Sequence, residues 1–169
     1  MIVRPAHADE LPTAGQVCAD AYRADGFAST EYEQQLLDAA GRAVSAAILV
    51  AVAQTGRILG TVTYVASDGP VAEIRYDSEA ELRMLAVDPS ARRTGVGATL
   101  VRAAIHRAQE DALGGVVIST ASQMRAAHRL YERLGFRRNE TRDWSPHPGL
   151  RLDVYELPLR LTTKLAHDA

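Results

Sequence analysis

The stretch that decides the fold is VDPSARRTGVGATLVRAAI, residues 87–105. An apolar run ends at Asp88, and apolar positions then recur every three to four residues along the rest of the stretch. This pattern predicts a strand, a short loop and a long helix. The helix begins with Gly95 and Gly97, although a glycine destabilises a helix by about 1 kcal/mol relative to alanine. Two glycines at such a position indicate that the main chain must stay uncrowded there.

Such a helix start is suited to binding an anion. The first four main-chain N–H groups of a helix have no partner inside it, and the helix dipole makes this end positive. Arg92 and Arg93 add positive charge just before it, and Thr94 adds a hydroxyl. The residues therefore predict a phosphate site where a strand ends and a helix begins. The alternative interpretation is a tight loop that begins a helix and binds nothing.

Two familiar phosphate loops do not fit these residues. The triphosphate loop requires G-x-x-x-x-G-K-[ST], but Lys164 is the only lysine of the chain. The dinucleotide loop requires a third glycine where Leu100 stands, and no acidic residue ends a following strand. The sequence thus excludes both common nucleotide-binding motifs at this loop.

The composition indicates an ordinary globular chain. Its 169 residues are 47% apolar and 24% charged, and we expect a single domain over 1–160 with a frayed tail over 161–169. The formal net charge of −2 argues against a nucleic-acid partner, which usually requires a basic surface. No apolar run approaches the about 18 residues that indicate a membrane span, and the N-terminus does not resemble a signal peptide.

Cysteine and histidine give no sign of a disulfide or of a metal site. Cys18 is the only cysteine, and we interpret it as a small core residue in a reducing, cytoplasmic setting. The five histidines do not show the spacing of metal ligands, so we predict no metal.

The hydrophobic periodicity changes several times along the chain. It predicts helices over 9–26, 29–46, 95–111 and 123–136, the third ended by Gly114-Gly115. It predicts strands over 1–6, 47–53, 58–66, within 72–89, over 116–120 and over 150–159. The strand before the loop, the following helix and the strand at 116–120 form a β-α-β crossover with parallel strands. The predicted fold is therefore α/β (α+β): a central mixed, mostly antiparallel sheet of about six to seven strands with flanking helices.

Two segments together resemble the GNAT superfamily of acetyl-CoA-dependent N-acetyltransferases. Residues 82–105 resemble its coenzyme signature, R/Q-x-x-G-x-G/A between a strand and a long helix, through Arg92, Gly95 and Gly97. Residues 126–136 resemble its second signature, A-x-x-L-Y-x-x-x-G-F, through Ala127, Leu130, Tyr131, Gly135 and Phe136. The order and separation of the two segments, and the predicted order of helices and strands, resemble that superfamily across nearly the whole chain.

The resemblance implies a site for coenzyme A. Main-chain amides of the loop and helix start would bind the pyrophosphate, and the preceding strand would pair with the pantetheine arm. Acetyl-CoA would be a substrate and no metal would be needed, because positioning and proton transfer suffice for attack by an amine on a thioester. Met124 stands where many members have an asparagine that binds the coenzyme, and its side chain cannot donate a hydrogen bond. The implied coenzyme-binding residues are Leu85, Ala86, Val87, Arg92, Arg93, Thr94, Gly95, Val96, Gly97, Ala98, Met124 and Tyr131.

Two side chains match catalytic positions of that superfamily. Tyr131 would protonate the departing thiolate, although a tyrosine on an amphipathic helix is also suited to the core. Glu81 would act as the general base, directly or through water, unless it is exposed or paired with an arginine. Glu73, Glu79 and a water held by the main chain are the other candidates for the base.

Strand alternation makes one geometric prediction about this base. It places Glu81, Arg83, Leu85 and Val87 on one face of their strand.

The resemblance leaves the acceptor open. It implies a primary amine, on a small molecule or on a protein, bound by residues 15–45 and by the loop 139–150, which includes Trp144. Acidic residues of the first two helices could attract a cationic amine or form a solvated helix face; these are Asp20, Asp25, Glu31 and Glu33. A homodimer is also implied. The alternative function is a coenzyme A-binding sensor or partner subunit without catalysis.

Overall fold

An eight-stranded sheet forms the centre of the computed structural model, which describes residues 1–160. The strands are β1 (Ile2–Pro5), β2 (Ala47–Val52), β3 (Ile58–Val65), β4 (Glu79–Val87), β5 (Gly115–Ala121), β6 (Arg137–Arg138), β7 (Trp144–His147) and β8 (Leu150–Pro158). The helices are α1 (Leu11–Ala24), α2 (Thr30–Leu37), α3 (Ala39–Ala43), α4 (Val96–Glu110) and α5 (Arg125–Arg133). The predicted frayed tail, 161–169, lies outside the described residues.

The sheet is mixed and mostly antiparallel, as predicted. Its order is β1-β2-β3-β4-β5-β8-β6, with β7 paired to β8. Within the described residues β4 and β5 form the parallel pair, and α4 connects them. The strand count exceeds the prediction because β6 and β7 have two and four residues. Strands so short show no alternation that a sequence pattern can detect, and β8 supplies the pairing that orders them.

The core lies on both faces of the sheet. On one face α4 packs with the residues predicted to point inward; Val96, Leu100, Val101, Ala104 and Ala108 are buried. On the other face α1 packs over the sheet through Ala14 and Cys18, among others. Cys18 is fully buried, and burial raises its pKa to about 12. It is therefore a core residue with an unreactive thiol, as the sequence predicted.

The prediction of one helix over 29–46 is wrong. The chain forms α2 and α3 instead, separated at Asp38, whose carboxylate accepts a hydrogen bond from the N–H of Gly41 at 2.8 Å. Ser29 caps α2 by accepting from the N–H of Tyr32 at 3.3 Å. Asp38 therefore ends α2 and caps α3. Its side chain bonds to the main chain in place of a continuous helix, and the spacing of hydrophobic residues does not reveal such a bond.

The end of α4 also differs from the prediction. The helix stops at Glu110, and Ala112 adopts a left-handed conformation with φ of +55°. Gly115 begins β5 rather than ending α4. The glycine pair therefore marks the start of a strand, and an alanine makes the turn.

A bulge interrupts β4. Met84 adopts φ of +52°, and the pairing with β3 shifts between Thr61 and Thr63. The bulge adds one residue to β4, so the side chains that follow it point to the opposite faces from those that strict alternation predicts. Met84 packs under α1, and its carbonyl oxygen lies 3.6 Å from the thiol of Cys18.

The bulge corrects the predicted face of β4. Leu82 packs with the α4 cluster, so alternation before the bulge points Glu81 and Arg83 to the opposite, α1 face. After the bulge, Leu85 and Val87 pack against the α4 cluster. The prediction that these four residues share one face is therefore wrong. The carboxylate of Glu81 and the side chains of Leu85 and Val87 belong to opposite faces of one strand.

Candidate active site

The parallel pairing of β4 with β5 stops before either strand ends. The paired residues run from Glu79 with Gly115 to Leu82 with Ile118. Beyond that point β4 continues to Val87, and β5 continues beside β8 instead. The two strands therefore separate and leave a wedge-shaped gap in the sheet. Unpaired main-chain groups along such a gap can bond to an extended, amide-bearing ligand.

The start of α4 lies beside this gap, and Gly95 makes it accessible. Gly95 precedes the helix with φ of +88°, a left-handed conformation that favours glycine. A Cβ at this position would meet no protein atom within 4 Å, so the position faces open space. The first N–H groups of α4 are thus approachable from that side, as an anion site requires.

Gly97 lines the cleft and also lies at a packing contact. A Cβ there would lie 3.3 Å from Cδ2 of Leu130 and 3.5 Å from Cγ2 of Val87. These contacts are tight for a methyl group, so glycine allows α4 to approach α5 and β4 closely. Gly97 therefore fits a packing role between three elements, whereas Gly95 borders open space.

A cleft of about 640 Å³ joins the helix start to the gap. Its walls are the end of β4, the loop before α4 with the first turn of α4, one side of α5 along its whole length, and the end of α1. The structure brings ten of the predicted coenzyme-binding residues together along it: Leu85, Ala86, Val87, Arg92, Arg93, Gly95, Val96, Gly97, Ala98 and Met124. Thr94 instead directs its hydroxyl to the carbonyl oxygen of Ala91, at 2.7 Å, and steadies the loop.

Arg92 forms a contact that the sequence did not reveal. Its guanidinium donates to both carboxylate oxygens of Asp25, at 2.7 and 3.0 Å, and to the carbonyl oxygen of Ala21, at 3.2 Å. The first residue of the loop signature is therefore tied to the end of α1. Asp25 and Arg92 are 67 residues apart, and no local pattern connects them.

Met124 and Tyr131 occupy the start and the interior of α5. The sulfur of Met124 accepts a hydrogen bond from the hydroxyl of Thr120 at 3.4 Å, and the residue lines the cleft. Tyr131 is only 3% exposed, and its ring packs on Phe136 and Tyr155 with centroids 5.8 and 5.9 Å apart. Burial raises the pKa of Tyr131 well above its ordinary value, so its phenol keeps its proton at neutral pH.

Glu81 is fully buried and held by the loop between β3 and β4. Its Oε2 accepts from the main-chain N–H groups of Glu73, Ile74 and Arg75, at 2.9, 3.0 and 3.3 Å. Its Oε1 has no hydrogen-bond partner within residues 1–160, and Nε of Arg83 lies 4.0 Å away. One oxygen thus orders the loop, and the other is buried without a hydrogen-bond partner.

Comparison with known proteins assigns the family. The sequence model of the acetyltransferase (GNAT) family matches residues 15–136, more than half of the chain. The chain belongs to the GNAT acetyltransferase family. The match includes the signature loop, α4 and α5, so the residues that suggested this family lie inside it.

Relatives and solved structures agree with this GNAT assignment. The N-acetylaspartate synthetase of Danio rerio is 41% identical over 70 residues, covering 41% of this chain and 25% of that protein. The chain therefore aligns with about a quarter of this curated relative.

The ribosomal-protein-S18-alanine N-acetyltransferase of Escherichia coli has a TM-score of 0.72 at 19% identity, covering 99% of both chains. A putative acetyltransferase of Salmonella typhimurium, solved with its cofactor acetyl-CoA, has a TM-score of 0.70 at 18% identity, covering 95% of this chain and 94% of that one. At these identities the two structures show the fold alone.

The other carboxylates near Glu81 of this GNAT protein have different surroundings. Burial alone would raise the pKa of Glu79, but hydrogen bonds from Arg142, at 2.8 and 2.9 Å, and from the N–H of Tyr76 lower it. Burial raises the pKa of Glu73, although Arg83, which donates to it at 2.6 Å, opposes this rise. Glu79 is thus a poor proton acceptor, whereas Glu73 remains a candidate.

The two segments predicted to bind the acceptor are internally bonded. Three of the four acidic side chains considered for amine attraction are paired with arginine: Asp20 and Glu33 with Arg23, and Asp25 with Arg92. In the loop 139–150, Asp143 accepts from Arg138, at 2.6 Å, and from the N–H of Val154, at 3.1 Å. The hydrogen bond from Arg138 is the main reason why the pKa of Asp143 is far below its usual range. The indole N–H of the neighbouring Trp144 is buried and has no acceptor within the part of the chain described.

Membrane-spanning helices and metal clusters are both absent from the described residues. No helix among residues 1–160 is long and apolar enough to cross a bilayer. In the same residues, no group of three or more His, Cys, Asp or Glu side chains could hold a metal ion.

Proposed function

We propose that the protein is an N-acetyltransferase that moves an acetyl group from acetyl-CoA to a primary amine by direct attack in a ternary complex. One observation supports this most strongly: the gap between β4 and β5 opens into the cleft that exposes the start of α4. A phosphate site and a slot for an extended amide chain are thereby continuous. That continuity matches a ligand with a diphosphate at one end of a pantetheine arm and a thioester at the other.

The donor is bound mainly by the main chain in this proposal. The amides from Arg93 to Ala98 take the diphosphate, and those of Leu85, Ala86 and Val87 pair with pantetheine. Gly95 is the residue that leaves room for the phosphate, because any Cβ there would project into the open space. Met124 contributes apolar contact rather than a hydrogen bond, since its sulfur faces Thr120.

The chemistry requires one proton to leave the amine and one to reach the sulfur. As the new N–C bond forms and the C–S bond breaks, Glu81 takes the amine proton at Oε1, directly or through a water. Tyr131 gives its phenolic proton to the departing thiolate. Support for the first role is an Oε1 without a hydrogen-bond partner on a buried, firmly held carboxylate; support for the second is a phenol that stays protonated. Glu73 is the competing base.

The acceptor is a small-molecule amine or a protein amino group, bound between α1–α2 and the loop 139–150. The relatives' printed names include a synthetase of N-acetylaspartate and an acetyltransferase of a ribosomal protein, so both classes belong in a screen. A cytoplasmic location and a homodimer remain part of the proposal. The location is supported by the single cysteine, Cys18, which leaves no intramolecular disulfide possible.

An acceptor screen with free-thiol detection tests this function. Purified protein is incubated with acetyl-CoA and a panel of peptides, amino acids, aminoglycosides and polyamines, and released coenzyme A is measured with a thiol reagent. Thiol release that depends on one acceptor class supports the enzyme and identifies the class. Tight binding of acetyl-CoA with no release for any amine would instead favour the coenzyme A sensor or partner subunit.

A further inference from the structure

Four exposed arginines beside the cleft have no acidic partner in the described part of the chain. Within residues 1–160, ten other arginines form ion pairs with carboxylates. Arg93, Arg125, Arg129 and Arg133, here named the arginine rim, form none with any residue from 1 to 160. The whole chain has a formal net charge of −2, so this rim is a local concentration of positive charge on an acidic protein. Unneutralised arginines at the edge of a ligand cleft indicate an anionic ligand group.

The rim follows the mouth of the cleft. Arg93 belongs to the loop before α4, two residues before Gly95, and lines the cleft. Arg125 and Arg133 line the same cleft from α5. Arg129 lies between them with i, i+4 spacing, so the three form one stripe along the helix. The rim therefore joins the loop and the helix on either side of the opening.

We propose that the arginine rim binds the 3′-phosphate of coenzyme A and thereby selects the coenzyme over its dephosphorylated form. This inference rests on the proposed function, which places the diphosphate at the start of α4 and the thioester in the gap. The adenosine end then extends outward past the diphosphate, to the mouth of the cleft. A phosphate monoester carries close to two negative charges at neutral pH, and guanidinium groups bind it through paired, charge-assisted hydrogen bonds.

The diphosphate does not need these side chains. The main-chain N–H groups of the loop and of α4 are available to it. Arg92 begins the loop signature, and it is already bonded to Asp25 and to the carbonyl oxygen of Ala21. The rim residues thus have their donors available for a second phosphate, and that group distinguishes coenzyme A from dephospho-coenzyme A.

Calorimetry with the two coenzymes tests this selection. Kd is measured for coenzyme A and dephospho-coenzyme A with the wild type, Arg125→Gln, Arg133→Gln and the control Arg102→Gln. Arg102 is exposed, lies on α4 away from the cleft lining and forms no ion pair within the described chain. We expect the wild type to bind coenzyme A about tenfold more tightly than the dephosphorylated form. Each rim variant should move that ratio towards one and leave Kd for dephospho-coenzyme A unchanged, whereas Arg102→Gln should keep the wild-type ratio.

Other outcomes overturn the inference, and they are distinguishable from failure of the proposed function. Equal wild-type affinity for the two coenzymes, or rim variants that weaken both equally, would show that the rim does not recognise the 3′-phosphate. Equal weakening would assign it to the diphosphate, and tighter binding of a short nucleic acid than of coenzyme A would assign it to a different ligand. Absence of binding by either coenzyme would contradict the proposed function itself. Because the substituted arginines are exposed, all variants should have wild-type circular dichroism and melting temperature.

Discussion

The guanidinium of Arg92 bridges the loop before α4 and the end of α1 through Asp25. Two nitrogens lie 2.7 and 3.0 Å from the two carboxylate oxygens, which is a bidentate pair. Asp25 follows the last residue of α1, and Arg92 begins the loop that borders the cleft. One ion pair therefore joins the helix assigned to the acceptor side with the loop assigned to the donor, and it reduces the positive charge that a phosphate would meet.

Asp25→Asn should tighten the binding of coenzyme A. The asparagine keeps a hydrogen bond to Arg92 but removes the negative charge, so the guanidinium attracts the phosphates more strongly. We expect a gain of about two- to fivefold at low salt, which decreases as salt screens the charges. The free energy of unfolding should fall by less than about 1 kcal/mol, because the pair is partly exposed. Calorimetry over a range of salt concentrations measures the effect.

The control for this change is Asp20→Asn. Asp20 also belongs to α1 and is paired with an arginine, Arg23, but it does not line the cleft. Asp20→Asn should therefore leave the affinity for coenzyme A unchanged. Weaker binding by Asp25→Asn would mean that the ion pair holds the cleft in its binding shape.

Gly95→Ala should weaken coenzyme binding by about tenfold, because its methyl group would occupy the space that a phosphate must enter. Gly56→Ala is the matched control. Gly56 has φ of +84°, and a Cβ added there would meet no atom within 4 Å, but it lies in the turn between β2 and β3. Both variants should lose about 1–2 kcal/mol of folding stability from the left-handed backbone, measured by urea unfolding. Wild-type affinity in both would contradict the phosphate site at Gly95.

The sequence predicted most of the architecture because the relevant signals were local. The spacing of apolar residues in α4, the hairpin of β2 and β3, and the parallel β4–β5 pair all follow from short stretches. The bulge at Met84 was not predictable, because its φ is stabilised by packing between β3 and α1 rather than by a turn residue. That single residue reversed the predicted face of Leu85 and Val87 relative to Glu81.

In the candidate site, too, the features set by local sequence were predictable and those set by tertiary contacts were not. The loop and cleft residues could be named from two signatures, whereas the partners of their side chains could not. Arg92 and Asp25 meet only because α1 ends above the loop, and Gly97 is required by side chains of α5 and β4. The three N–H donors to Glu81 come from a loop in which no periodic pattern predicts a structure.

Tyr131→Phe should lower kcat by about 100-fold and leave the Kd of acetyl-CoA within about twofold of wild type. The ring is retained, so packing against Phe136 is preserved and stability should hardly change. Burial raises the pKa of the phenol, so its proton should remain through the alkaline range usually assayed, and Tyr131 should produce no alkaline limb near pH 10. Tyr155→Phe, which removes a hydroxyl from the same aromatic cluster, should keep turnover. Equal turnover by wild type and Tyr131→Phe would exclude Tyr131 as the acid.

Glu81→Gln and Glu73→Gln should separate the two candidate bases. Glu81→Gln should lower kcat by about 100-fold or more, because an amide cannot take the amine proton. Glu73→Gln should largely keep kcat, because the carboxylate of Glu73 is bonded to Arg83. Glu79→Gln, which removes a charge from the pair with Arg142, controls for loss of a carboxylate in the same region. A large loss of kcat in Glu73→Gln, with wild-type kcat in Glu81→Gln, would assign the base to Glu73.

A titration of ¹⁵N-labelled protein with coenzyme A, followed through the main-chain amide resonances, tests most directly whether the start of α4 binds the diphosphate. We expect the amides of residues 94–98 to shift strongly with coenzyme A and hardly to shift with pantetheine, which has the arm but no diphosphate. Strong shifts elsewhere in the cleft with coenzyme A, while the amides of 94–98 stay in place, would contradict a diphosphate site at this helix start.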